Sequence, residues 1–255
     1  MPLSKQKIKL IHSLESKKYR KSFHVFVAEG NKLVNDLFDA QLICKYLFAT
    51  PSWFLSNPKL LAEESIEISE TELKKISSLK TPQEVLAVFY QPDYDAGKIN
   101  LSEQLVLALD GIQDPGNLGT IIRIADWFGI EHVVCSPETV DVFNSKTIQA
   151  TMGAIARIKV YYMPLIDFIR KKESIPVYGT FLEGNNIYQE ELASNGIIIM
   201  GNEGNGISKE LIPFITNNLF IPNFPAGRTT SESLNVASAT SIICSEFRRR
   251  NAMMI

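Results

Sequence analysis

Residues 104–129 read QLVLALDGIQDPGNLGTIIRIADWFG. The run Leu105–Leu109 is continuously apolar, not alternating, which is the pattern of a strand buried on both faces, as in a parallel sheet. Asp110 to Gly119 follows, with Gly111, Gly116 and Gly119 admitting tight turns and close backbone approach. Ile121, Ile122, Ala125 and Phe128 then recur at helical spacing. Strand, glycine turn and helix make one α/β unit, and the same grammar repeats outward. HVVCS (132–136), KVYYM (159–163), PVYGTFL (176–182), GIIIM (196–200) and LFIPNF (219–224) read as strands. SKTIQATMGAIARI (145–158), LIDFIRKK (165–172), ISKELIPFI (207–215) and SLNVASATSIICSEFRRR (233–250) read as helices. The expected fold class is α/β, with a parallel sheet covered by helices on both faces.

Upstream the pattern is smaller. FHVFVAEG (23–30), ICKYLFAT (43–50) and EVLAVFY (84–90) read as strands, and NKLVNDLFDAQ (31–41) as a helix. SETELKKISSLK (69–80) reads as a helix capped by Ser69 or Thr71. QPDYDAGKINLSE (91–103) breaks the composition with Pro92 and Gly97. The division expected is a small α/β domain over 1–92, a linker over 93–103, and a larger domain over 104–255.

The chain has 255 residues, 45% hydrophobic and 21% charged, enough apolar content for a sizeable core. No apolar run reaches the ~18–20 residues of a bilayer span, and the first residues lack the apolar block of a secretory signal. A soluble cytoplasmic protein with no membrane partner is expected. Cys44, Cys135 and Cys244 are odd in number, far apart and set in apolar stretches, and no CxxC occurs, so buried thiols are expected with no disulfide framework and no metal. Net charge is −2, but Lys5, Lys7, Lys9, Lys17, Lys18, Arg20 and Lys21 face only Glu15 within residues 1–24, and Arg248, Arg249 and Arg250 cluster near the other end. Clustered cations suit a polyanion such as RNA. They also suit a solvated amphipathic helix and a frayed tail, and charge alone does not choose.

Sites in parallel sheets lie beyond the carboxyl ends of strands. Three loops qualify: 110–119, 201–206 and 222–233. The first opens a helix, whose free N–H groups can meet an anion. Asn117 and Leu118 stand where a P-loop requires Lys and Ser/Thr, and Gly116-x-x-Gly119 is not GxGxxG. Arg123 follows on a mostly apolar helix, where it either reaches to the surface or meets a phosphate or carboxylate. The second loop, Gly201-Asn202-Glu203-Gly204-Asn205-Gly206, is either backbone packed on a flat ligand or a plain strand-to-helix turn. In the third, Ser233 and Glu232 could cap the last helix, and Asn235 is a weak helix former just inside it.

Taken together, LALDGIQDPGNLGTIIRIADWFG, IIIMGNEGNGIS and IPN…SESLNVASA resemble, in order and spacing, the three motifs of the SpoU (TrmH-type) RNA ribose methyltransferases of the SPOUT superfamily. FHVFVAEGNKLVNDLF…LKTPQEVLAVF is similar to the L30e-like substrate-binding domain often fused ahead of it. The resemblance implies a C-terminal trefoil knot, S-adenosylmethionine as methyl donor, no metal, and an obligate homodimer whose site draws on both protomers. By position it implies Asn117, Arg123, Glu203, Ser233 and Asn235 as catalytic. It implies cofactor contacts from Thr180, Gly201, Asn202, Gly204, Ile221 and Leu234, with Ala226 in the neighbouring loop. The segment between Ile221-Pro222 and Ser233-Leu234-Asn235 is longer than the family's usual one.

The implied reaction is transfer of the sulfonium methyl to a ribose 2′-hydroxyl of structured RNA, ribosomal or transfer. Its main demands are alignment and dehydration. No histidine lies in the three motifs. The resemblance implies Arg123 as the base, assisted by the substrate phosphate, which is demanding because Arg normally keeps its proton; holding the phosphate and stabilising the developing alkoxide is the alternative role. Lys17, Lys18, Arg20 and Lys21 are the expected RNA contacts of the first domain. The competing readings are a silent RNA-binding module, a base methyltransferase, and a nucleotide-dependent α/β enzyme.

Overall fold

The computed structural model describes residues 3–170, 174–225, 228–229 and 231–252. They fall into two compact units, residues 1–93 with 141–157, and residues 94–140 with 158–255. Among the described residues no helix is long and apolar enough to cross a membrane.

The first unit opens with helices α1 (Lys5–Ser13) and α2 (Lys17–Phe23), then β1 (Val25–Glu29), α3 (Asn31–Asp39), β2 (Cys44–Ala49), α4 (Pro51–Ser56), β3 (Glu64–Glu67), α5 (Glu70–Ile76) and β4 (Val85–Tyr90). The strands form a mixed sheet in the order β1-β4-β2-β3, antiparallel except for the parallel β2–β3 pair. Phe26, Phe48, Leu86 and Phe89 are fully buried in it. Of the two expected caps of α5, Ser69 is the one used: its hydroxyl accepts from the Glu72 N–H while the Glu72 carboxylate accepts from the Ser69 N–H.

The second unit begins at Tyr94, so the expected linker is in fact part of a core: Ile99 and Leu101 are buried against Val106, Ile197 and Phe168. The chain runs through β5 (Leu105–Leu109), α6 (Pro115–Trp127) and β6 (His132–Cys135), visits the first unit with α7 (Ser145–Ala150), and returns as β7 (Lys159–Tyr162), α8 (Leu165–Arg170), β8 (Val177–Phe181), β9 (Asn185–Asn186), β10 (Gly196–Met200), β11 (Asn217–Phe220) and α9 (Val236–Ala252). Seven strands lie in the order β7-β6-β5-β10-β8-β11-β9, every neighbouring pair parallel. All five residues of β5 and of β10 are buried, as unbroken apolar runs require.

Four of the expected helices differ from the sequence pattern. α5 stops at Ile76, four residues before Lys80, because Ser77 turns extended. α7 stops at Ala150: the backbone turns left-handed at Met152 (φ +50°) and Gly153 (φ +92°), and residue 153 must be glycine because a Cβ there would meet the Asp36 carboxylate at 1.9 Å. Residues 207–215 form turns and a single 3-10 turn, Ile212–Phe214, in place of a helix; Pro213 supplies no N–H and disfavours helical backbone before it. α9 starts at Val236, three residues later than read. Its arginines are not a loose tail. Arg248 donates to the carbonyls of Phe128 and Gly129, which α6 leaves unpaired at its end, and Arg249 and Arg250 both bond Glu246.

Candidate active site

Because β5 and β10 are parallel neighbours, the loops that follow them leave the sheet side by side. Asp110 N–H donates to the Met200 carbonyl at 2.9 Å, and the Asp110 carboxylate, only 7% exposed, accepts the Ser208 N–H at 2.7 Å. Asn202 donates its amide to the Gly111 carbonyl at 2.7 Å and accepts from the N–H groups of Gly204 and Asn205. Asn202 and Gly206 exchange backbone hydrogen bonds at 2.9 Å, closing 201–206 into a tight loop. A Cβ on Gly201 would sit 2.4 Å from the Gly206 carbonyl carbon and 2.5 Å from the Ile207 nitrogen. The close approach that glycine permits at 201 is therefore made by the loop's own backbone.

The first loop ends in a capped helix. Asp114 accepts the Asn117 N–H at 2.8 Å, and Pro115 takes the first helical position. The Asn117 side chain then reaches both other loops: its Nδ2 donates to Glu203 Oε1 at 2.8 Å, and its Oδ1 accepts from Asn235 Nδ2 at 3.0 Å. Asn235 precedes α9 and caps it, its Oδ1 accepting from the N–H groups of Ala237 and Ser238. The cap determines the direction of the whole relay. Asn235 Oδ1 is committed to N–H donors, so its amide NH₂ must face Asn117, whose own NH₂ then faces the carboxylate. The capping that Ser233 or Glu232 could have supplied is done by Asn235.

Thus the structure brings together Asn117, Glu203 and Asn235, from loops up to 118 positions apart. It does not bring Arg123 into that relay. Arg123 lies on α6, about 9 Å further along the axis by helical rise; it is exposed and forms no ion pair or hydrogen bond among the described residues. The surface reading of this arginine holds, and it leaves an uncommitted cation. Ser233 is exposed and its hydroxyl has no partner among the described residues. Thr180 Oγ1 donates to the Ile199 carbonyl at 3.0 Å, which points the side chain back to β10 and leaves the strand's end to its backbone. Ile221 is half-buried, Gly204 exposed, Leu234 50% exposed; Ala226 lies outside the described residues. Leu182, following β8, and Phe224, following β11, are 66% and 90% exposed at the same strand ends. His132 opens β6 at the opposite edge, bonded to the Tyr161 hydroxyl and held below its ordinary pKa by burial and then by Lys159. The thiols are buried and pushed up by burial, Cys44 and Cys244 to about 12 and Cys135 higher still, so none is a nucleophile at neutral pH.

In the first unit, Lys17, Lys18 and Lys21 are exposed on α2. Arg20 corrects the expected RNA-contact set. It is 3% exposed, its Nη2 and Nε donate to Asp141 at 2.7 and 3.1 Å, and its Nη1 donates to the carbonyls of Leu14 and Glu15. Every face of the guanidinium is spent inside the fold. Two kinds of residue escaped the sequence reading. Asp110, which locks two loops together, had no periodic signature. Tyr19 and Phe23, exposed on α2, did have one, an i,i+4 aromatic pair inside the basic stretch.

The SpoU rRNA methylase family model matches residues 104–245, more than half of the chain. The chain belongs to the SpoU rRNA methylase family. An MRM3-like substrate-binding domain model matches residues 5–87 of this SpoU chain. It is similar to the 23S rRNA (guanosine(2553)-2′-O)-methyltransferase RlmP of Bacillus subtilis, 32% identical over 246 residues, covering 95% of this chain and 96% of RlmP. Among solved structures it resembles a TrmH-family RNA methyltransferase of Porphyromonas gingivalis (41% identity, TM-score 0.88, 97% and 99% of the two chains). It also resembles an AdoMet-bound rRNA methyltransferase of Sinorhizobium meliloti (32% identity, TM-score 0.85, 98% of each chain). The SpoU match spans all three strand-end loops, and the relay through Asn117 lies within it.

Proposed function

We propose that this protein transfers a methyl group from S-adenosylmethionine to a ribose 2′-hydroxyl of ribosomal RNA. The observation that carries the reading is the Asn235–Asn117–Glu203 relay, which ties three strand-end loops into one site in a chain whose relatives methylate rRNA at that oxygen.

The residues present fit the donor. Leu182, Phe224 and Leu234 leave apolar surface in water at the carboxyl edge, beside the backbone at Thr180, Gly201 and Ile221, and such an edge suits an adenosyl group. Asn202 and Gly204 keep the 201–206 loop in shape for it. When bound, S-adenosylmethionine would supply a sulfonium-activated methyl open to in-line attack by an oxygen, with S-adenosylhomocysteine as the leaving group. Arg123, exposed and uncommitted, grips the phosphate beside the target ribose and stabilises the 2′-oxygen as its proton passes to solvent water. Arginine keeps its proton in proteins, so its part is electrostatic, not basic. Asn117, Glu203 and Asn235 hold the loops in register, and Ser233 offers its free hydroxyl at the head of α9. The family's trefoil knot, homodimer and cytoplasmic setting belong to this reading. Trp127, 85% exposed on α6, supports a second copy covering that helix, as sedimentation at micromolar concentration would test.

The direct test supplies purified protein with methyl-labelled S-adenosylmethionine and unmodified rRNA, then digests to nucleosides. Label in a 2′-O-methylnucleoside supports the proposal. Label in a methylated base, or none with RNA and donor both bound, refutes it.

A further inference from the structure

Between α1, α2 and β2 the first unit carries a groove of about 440 Å³, lined by Gln6, Lys7, Lys9, Leu10, Ser13, Tyr19, Phe23 and Tyr46. Gln6, Lys9, Leu10 and Ser13 follow helical spacing, so one stripe of α1 forms a wall. Tyr19 and Phe23 form the facing wall from α2. Their rings lie near parallel, 18° apart with centroids 6.2 Å apart, and they stay 43% and 42% exposed. Tyr46 borders the groove with Lys7 Nζ 3.5 Å from its ring centroid, and Lys7 is also paired with Glu64. Lys9, Lys17, Lys18 and Lys21 are exposed and form no ion pair among the described residues.

We infer that this groove takes an unpaired nucleobase of the RNA substrate, stacked on Tyr19 and Phe23, with the flanking phosphates held by Lys9 and the α2 lysines. The inference rests on the proposed RNA substrate and adds which form of RNA the first unit reads. Water-exposed, mutually stacked rings inside a cation-rimmed groove are the elements of single-strand recognition: any base offers a π-face, and the lysines answer the backbone charge. The volume lies within the ~300–1,000 Å³ of small-ligand clefts. A duplex keeps its bases stacked on each other and presents only phosphates, so the rings discriminate unpaired from paired RNA while the lysines do not.

The test uses the full chain and a short labelled RNA, single-stranded or annealed to its complement, with binding followed by fluorescence anisotropy. Tyr19→Ala with Phe23→Ala is expected to lower single-strand affinity about tenfold or more, to leave duplex affinity and the salt slope nearly unchanged, and to leave S-adenosylmethionine binding intact. Tyr19→Leu with Phe23→Leu, which keeps apolar bulk on α2, should lose the single-strand preference as well. Lys9→Gln should weaken both RNA forms and flatten the salt slope. In the unaltered protein, photocrosslinking of 4-thiouridine RNA should tag the peptides holding Tyr19, Phe23 or Tyr46. Unchanged single-strand affinity in both aromatic variants, crosslinks confined to other peptides, or a change of oligomeric state in place of RNA affinity would overturn the groove. Loss of single-strand binding in these variants, with no 2′-O-methyl product from the unaltered protein, would sustain the groove and sink the methyltransferase reading instead.

Discussion

Replacing Arg20 by alanine separates the two roles that residues 17–21 can play. The guanidinium is 3% exposed and its Asp141 partner's side chain 13% exposed, so the substitution leaves a largely buried carboxylate without its cation and frees the carbonyls of Leu14 and Glu15. Breaking a buried ion pair from one side costs about 3–5 kcal/mol. For a chain of this size each kcal/mol moves the melting midpoint by about 2–4 °C, so Arg20→Ala should melt roughly 10 °C lower. Urea unfolding gives the free energy, and the cycle of Arg20→Met, Asp141→Leu and the double variant gives the coupling, expected at about 2 kcal/mol or more. By contrast, Lys17→Gln, Lys18→Gln and Lys21→Gln should stay within about 0.5 kcal/mol of the parent. Their effect belongs in RNA affinity and its salt slope. If Arg20→Ala melts with the parent protein and weakens RNA binding as the lysine variants do, the assignment of Arg20 to the fold is wrong.

Other perturbations have equally definite outcomes. Gly201→Ala drives a Cβ to 2.4 Å from the backbone at Gly206, so the 201–206 loop must open; donor affinity measured by calorimetry should fall tenfold or more, and normal affinity would refute the close approach. Glu246 is held at about 2, well below its ordinary 4.5, by hydrogen bonds from Arg249 and then Arg250. A carboxylate depressed in the folded state stabilises fully above its unfolded value, and that stability disappears as pH falls from about 4.5 through about 2. Glu246→Gln should therefore flatten the acid side of the melting-temperature profile in that window, and an unaltered slope would count against the pairing.

Local pattern reached far into this molecule where a residue's partner is set by periodicity. Unbroken apolar runs such as GIIIM announce strands covered on both faces, and parallel strands oblige the loops after β5 and β10 to meet. That was enough to bring out the three loops; within them Asn117, Glu203 and Asn235 were singled out by the resemblance to the SpoU motifs. Pattern failed where the partner is distant in sequence. Arg20 reads as one more surface cation among lysines, and only Asp141, 121 positions away, makes it a buried one. The same pair is part of what gathers 141–157 into the first unit, a grouping that no composition break marks. Arg248 likewise reads as a frayed end until the carbonyls of Phe128 and Gly129 receive it. Asn235 stands out in the sequence for poor helix propensity, yet its use, one amide shared between a cap and a relay, needs the fold.

Arg123, exposed and without an ion pair or hydrogen bond among the described residues, is where ribose methyl transfer is tested most directly. Single-turnover methyl transfer to rRNA by Arg123→Ala, set beside calorimetric S-adenosylmethionine binding by the same protein, separates reaction from donor capture. The expected result is a rate lower by about 10²–10³-fold or more, the size typical of losing one charge-stabilising donor, with donor affinity within a few fold of the parent. Arg123→Lys should recover only part of the rate, since a point charge replaces a planar fork. Near-normal transfer by Arg123→Ala, or loss of rate that merely follows loss of donor binding, would contradict the claim that this strand-end site methylates a ribose with Arg123 at the reacting oxygen.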